Sequence, residues 1–115
     1  MRCMTKPVDE EFVNRITRNR DTVRQMIEEY ANYLQPSDGT RVEAAIDEQD
    51  GQYKIVRTGS KNGERLDECL VHLAAQDDGK IYVMQNRTEL EIDYELMRLG
   101  VPLADIVPAA RVPVV

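Results

Sequence analysis

The chain has 115 residues, of which 42% are apolar and 31% charged, with a formal net charge of -6. That length suits one domain around one core, and the composition is neither that of a disordered chain nor that of a membrane protein. No apolar run approaches the roughly 20 residues of a membrane helix. The stretch from Met1 to Glu11 carries acidic residues and lacks the apolar centre of a secretory signal, so a cytoplasmic protein is expected. The acidic balance opposes general attraction to phosphate. Six basic residues balance six acidic ones from Met1 to Leu34, and acidic residues prevail in the rest, so only the first segment has a basic stripe to offer. Cys3 and Cys69 lack metal-ligand spacing and are expected as reduced, structural thiols. A core of this size needs neither staple nor cofactor to fold.

Phe12, Ile16, Val23, Ile27, Tyr30 and Leu34 step by four, seven, four, three and four, which places them on one face of a helix. Asn19, Arg20 and Asp21 interrupt that face where an apolar residue is due, and Asp21 has N-cap chemistry, so a kink or break is expected there. Gln35-Pro36-Ser37-Asp38-Gly39 ends the helix. Val42, Ala44 and Ile46 then alternate with polar residues, as do Tyr53 and Ile55, predicting two strands joined by an Asp50-Gly51 turn. Gly59 to Gly63 reads as a loop, Leu66 to Ala75 as the longest strand, and Asp77-Asp78-Gly79 as the turn into a strand from Lys80 to Met84.

Thr88 and Glu91 form a capping-box pattern that predicts a helix from Thr88, with Ile92, Leu96 and Leu99 as its core stripe and Gly100 as its left-handed stop. Val101 to Val115 contains three prolines and reads as a short turn and an extended tail. The expected fold class is α+β: an N-terminal helix, a four-stranded antiparallel sheet of two hairpins, then a short C-terminal helix.

Asp78-Gly79-Lys80 has the order of half a nuclease metal site, with Asp67 or Asp50 as a second carboxylate, but Asp-Gly is also the preferred dipeptide of a tight hairpin. His72, the only histidine, has apolar neighbours that favour a buried, hydrogen-bonded ring. Cys69 and His72 are three residues apart, which in a regular strand puts them on opposite faces and prevents a nucleophile–base pair. No catalytic, cofactor or metal residue is therefore assigned. Arg15, Arg18, Arg20 and Arg24 along the first helix are the best case for contact with DNA, yet Glu28 and Glu29 lie close behind and no aromatic residue interleaves them for base stacking.

Three stretches carry a resemblance. They are Arg24-Gln25-Met26-Ile27-Glu28-Glu29-Tyr30-Ala31; Val71-His72-Leu73 followed by Asp78-Gly79-Lys80-Ile81-Tyr82-Val83, Gln85 and Thr88-Glu89; and Glu95-Leu96, Gly100-Val101-Pro102 and Asp105-Ile106-Val107. In order and spacing, from about Thr22 to Val107, the chain resembles the XisI-like family of excision controlling factors. The resemblance implies a single α+β domain over residues 20–115, with residues 1–19 as an N-terminal extension leading into the first helix. It also implies a non-catalytic accessory role in the controlled excision of a DNA element during differentiation in cyanobacteria. The implied partner is an XisH-like protein, with a homodimer and indirect contact with nucleic acid as further expectations and no membrane. Pro108-Ala109-Ala110 departs from the family's aliphatic-Gly-aromatic stretch. Gln85, Asn86, Thr88 and Glu89, where the sheet hands over to the last helix, are the candidate partner-binding residues; Arg15, Arg18, Arg20 and Arg24 are the DNA-contact alternative.

Overall fold

A computed structural model describes residues 10–108; Cys3 and the altered stretch from Ala109 onward lie outside them. Helix α1 (Glu10–Tyr33) leads into strands β1 (Arg41–Asp47), β2 (Gln52–Lys61), β3 (Glu64–Ala75) and β4 (Ile81–Asn86). Helix α2 (Ile92–Arg98), a 3-10 turn (Leu103–Asp105) and strand β5 (Ile106–Val107) complete it. The sheet runs in chain order, β1-β2-β3-β4-β5, antiparallel except for the parallel pairing of β5 with β4.

The α+β reading holds, but the sheet has five strands in mixed sense, not four antiparallel ones. β5 escapes a sequence reading because two residues beside prolines have no periodicity to show; pairing of Ile106 with Ile81 and Val107 with Tyr82 makes them a strand. The expected loop at Gly59–Gly63 is instead a third hairpin. Asn62 (φ 55°) and Gly63 (φ 79°) both take positive φ, as a two-residue turn matching the strand twist requires, and pairing continues up to Lys61 opposite Glu64.

α1 runs unbroken through Asn19, Arg20 and Asp21, so the expected break is absent. Asn19 takes the place of the missing apolar residue and is itself buried, because the fold supplies partners for its amide. The expected boundary between residues 19 and 20 thus falls inside one continuous helix. Val23, Met26, Ile27 and Ala31 pack α1 onto the inward sheet face formed by Tyr53, Ile55, Val71, Leu73, Ile81 and Val83, with Ile92 and Leu96 of α2 in the same core. A fully buried aliphatic side chain such as Ile27 stabilises by about 1.5–3 kcal/mol.

α2 begins at Ile92, four residues later than the capping box predicts, and Glu91 caps it without a side-chain hydrogen bond. It ends as expected around Gly100. The Gly100 amide donates to the Met97 carbonyl (3.0 Å) and the Val101 amide to the Leu96 carbonyl (2.9 Å), the paired bonds of a Schellman stop.

Candidate partner-binding surface

The handover from β4 to α2 is built on irregularities in β3 and β4. Ile55 pairs with Val71 but Val56 pairs with Cys69, leaving Leu70 as an extra residue; Leu73 pairs with Val83 but His72 with Gln85, leaving Met84 as another. Each bulge frees backbone groups and re-aims the side chains beyond it. The Gln85 amide donates to the Cys69 carbonyl (2.8 Å), and the Arg87 backbone amide donates to the Leu70 carbonyl (2.7 Å), so Gln85 fastens the bulged stretch.

Asn86, Thr88 and Leu90 close a compact turn. Asn86 Oδ1 accepts from the Thr88 amide (2.9 Å) and hydroxyl (2.6 Å), Thr88 Oγ1 accepts from the Leu90 amide (3.1 Å), and Asn86 Nδ2 donates to the Leu90 carbonyl (2.7 Å). These local bonds occupy the Thr88 hydroxyl that the capping box would have used. Glu89 is exposed at the tip of the turn.

The structure therefore divides the four sequence-derived partner residues. Thr88 and Glu89, with Arg87 and Leu90, line an open groove of about 610 Å³ whose other wall is Tyr33 and Leu34 at the end of α1. Asn86 faces a neighbouring hollow beside Tyr94, Met97 and Leu103, and Gln85 lines neither. Tyr33 is 74% exposed and meets the Tyr30 ring edge-on at 6.2 Å. Its place beside the apolar stripe of α1 suits either core or interface in the sequence, and the structure leaves it on the surface. Beneath it, burial and the neighbouring Glu95 carboxylate hold the Tyr30 hydroxyl above its ordinary pKa, and Glu95 is further engaged by Arg98 (2.7 Å). The groove thus offers an aromatic ring, an aliphatic side chain and charges of both signs on a firm floor.

The four arginines of α1 do not form one stripe. At about 100° per residue, Arg20 and Arg24 lie together, while Arg15 and Arg18 lie on another side of the helix. Arg15 Nε is 3.4 Å from the Asp105 carboxylate and its guanidinium stands over the Phe12 ring at 5.2 Å, and Arg18 pairs with Glu11 (3.6 Å). Arg20 donates to the Glu48 and Ala75 carbonyls (3.2 and 3.3 Å), and Arg24 pairs with Asp21 and Glu48 (3.8 and 3.6 Å). Arg18, at 62% side-chain exposure, is more open than Arg15 or Arg24.

The expectation that Cys69 and His72 face opposite ways is overturned. Their cross-strand partners Val56 and Lys54 are two apart on β2 and share a face, and the extra residue Leu70 brings Cys69 and His72 onto that same face. Each bonds elsewhere: Cys69 Sγ donates to the Val71 carbonyl (3.4 Å), and His72 Nε2 meets Gln52 Oε1 (2.5 Å). Burial raises the Cys69 thiol pKa and, with the Lys54 charge, lowers that of His72. Asp78 accepts from the Lys80 amide and the Tyr82 hydroxyl, both at 2.9 Å, as a turn residue does.

The chain matches the XisI protein family over residues 13–115. It superposes on a XisI-like protein from Anabaena variabilis ATCC 29413 with a TM-score of 0.76 and 26% identity, covering 85% of this chain and 89% of that one. It also superposes on the fdxN element excision controlling factor XisI from Anabaena variabilis ATCC 29413, with a TM-score of 0.72 and 28% identity, over 86% of this chain and 89% of that one. A search of curated proteins gives no match.

Proposed function

The chain belongs to the XisI family, and on that basis we propose that it is a non-catalytic accessory factor in the excision of a DNA element, acting through a protein partner. The observation that carries this reading is the shared fold with an excision controlling factor across 86% of the chain. The groove between Tyr33 and Glu89 is the proposed docking site. Its rigid aromatic and its mixed charges are the composition that protein interfaces favour at their centre and rim. The use of Asp78 as a turn former, with both carboxylate oxygens occupied, supports the non-catalytic part.

The partner proposed is an XisH-like protein. Co-expression of the two chains, followed by light-scattering mass analysis, tests the reading: a defined mixed complex is expected. Tyr33→Ala and Glu89→Ala should each weaken it while leaving the circular dichroism spectrum unchanged. Two separate species would refute the partner assignment. A complex indifferent to both substitutions would refute the groove.

A further inference from the structure

β1 is an edge of the sheet, and among the described residues no strand lies beside its outer row of backbone groups. Its burial is uneven. Val42 is buried and Ile46 half-buried on the helix-facing side, but Ala44 between them is exposed although it pairs with the fully buried Ile55. The sheet therefore extends past the cover that α1 gives it. Beside Ala44, between Glu28, Ala31 and Asn32 of α1 and Val42 and Glu43 of β1, runs an open groove of about 540 Å³.

The sequence of this edge, Arg41-Val42-Glu43-Ala44-Ala45-Ile46-Asp47, complements itself when reversed about Ala44. An antiparallel copy in that register sets Arg41 opposite Asp47, Val42 opposite Ile46, Glu43 opposite Ala45 and Ala44 opposite its twin. Opposite charges and apolar pairs directly across an antiparallel ladder each stabilise, whereas like charges destabilise. Neighbouring symmetric registers lose this. Centring on Glu43 puts two carboxylates face to face, centring on Ala45 sets Glu43 against Asp47, and centring on Val42 leaves few strand residues overlapping.

We propose that β1 is a homodimerisation edge, at which two copies of this chain join about a two-fold axis at Ala44 into one continuous sheet. Because the axis stands perpendicular to the sheet, both α1 helices lie on the same side, and the two grooves adjoin over the paired Ala44 residues. The exposed alanine on an otherwise core-facing row is then covered by the second copy. This goes beyond the excision reading and stands apart from it, since it concerns the chain alone.

Sedimentation equilibrium of the full chain tests it. The wild type is expected at twice its 13.2 kDa chain mass. Ala44→Glu, which puts two carboxylates at the axis, should weaken the dimer about tenfold or more. Since that side chain is exposed, the circular dichroism spectrum should persist. Arg41→Asp and Asp47→Arg should each favour the monomer, but mixing the two variants should restore a dimer, because opposite charges then meet at both ends of the joined strands. A wild type that stays at the chain mass at every accessible concentration overturns the proposal. So does a dimer that tolerates Ala44→Glu, or variants whose mixture gains nothing. A monomer that still bound an XisH-like partner would overturn this interface alone, and a dimer that bound none would overturn the partner reading alone.

Discussion

Asn19 and Asp105, 86 positions apart in the chain, are joined by a buried hydrogen bond of 3.1 Å. The same amide nitrogen donates to the Gly79 carbonyl at 3.0 Å, so one side chain ties the first helix to both the β3–β4 turn and the segment entering β5. Asp105 is 5% exposed and also receives Arg15. Replacing Asn19 by alanine keeps a good helix former but leaves a buried carboxylate oxygen and a carbonyl without that donor. The expected cost is about 1–3 kcal/mol, measured as a lowered urea midpoint. An unshifted midpoint would show that water replaces the amide without loss.

Acid should act through Asp38. The Thr40 hydroxyl (2.5 Å) and amide (3.1 Å), with Arg57 alongside, hold its carboxyl below the ordinary carboxylate range. A depressed folded-state pKa means stability that is complete above the unfolded value of about 4 and lost as pH falls further. Asp38→Asn should therefore flatten the fall of the urea midpoint below about pH 4, with little change in that slope near neutrality. An unaltered acid profile would assign the pH dependence to other carboxylates.

Cys69 should react slowly. Burial raises its thiol pKa, which reduces the thiolate that alkylating reagents attack, and the Val71 carbonyl occupies the hydrogen. Iodoacetamide labelling at neutral pH, read by mass spectrometry on the Cys69 peptide, should lag well behind a free model thiol and recover in urea. Equal rates in folded and unfolded protein would contradict that protection.

Gly51 should not accept a side chain. Its φ is +64°, and an added Cβ would press into the Ala75 carbonyl oxygen, while the Gly51 carbonyl accepts from the Ala75 amide at 2.8 Å. Backbone strain alone makes Gly51→Ala unfavourable by about 1–3 kcal/mol, and the close approach adds to it. Thermal unfolding should report a clear drop in Tm, and a variant as stable as the parent would mean that the turn relaxes freely.

Much of the fold was legible because periodicity is local. The alternation of Val42, Ala44 and Ile46, the stripe through Val23 and Ile27, and Gly100 all sit in the elements their patterns predict. Two of the misreadings share one cause, a partner far away in the chain. Asn19 looks like a helix breaker until Gly79 and Asp105 arrive, and Ile106 looks like tail until Ile81 pairs with it. The candidate surface was half legible. Thr88 and Glu89, both read from the sequence, line the groove, but the task of Gln85 depends on a carbonyl freed by a bulge on another strand, and Tyr33 joins the groove only when α1 lies beside the turn after β4.

Strand order that follows chain order has a kinetic meaning. β1 to β4 meet only their sequence neighbours, through turns of a few residues, so these hairpins can zip as they leave the ribosome without waiting for distant chain. The closing step is different: β5 must return alongside β4 and deliver Asp105 to a helix made before any strand of the sheet. Until then Asn19 has half its partners. Before that step the nascent domain is a sheet and helix in search of a latch, and the segment that emerges after both is the one that fastens it.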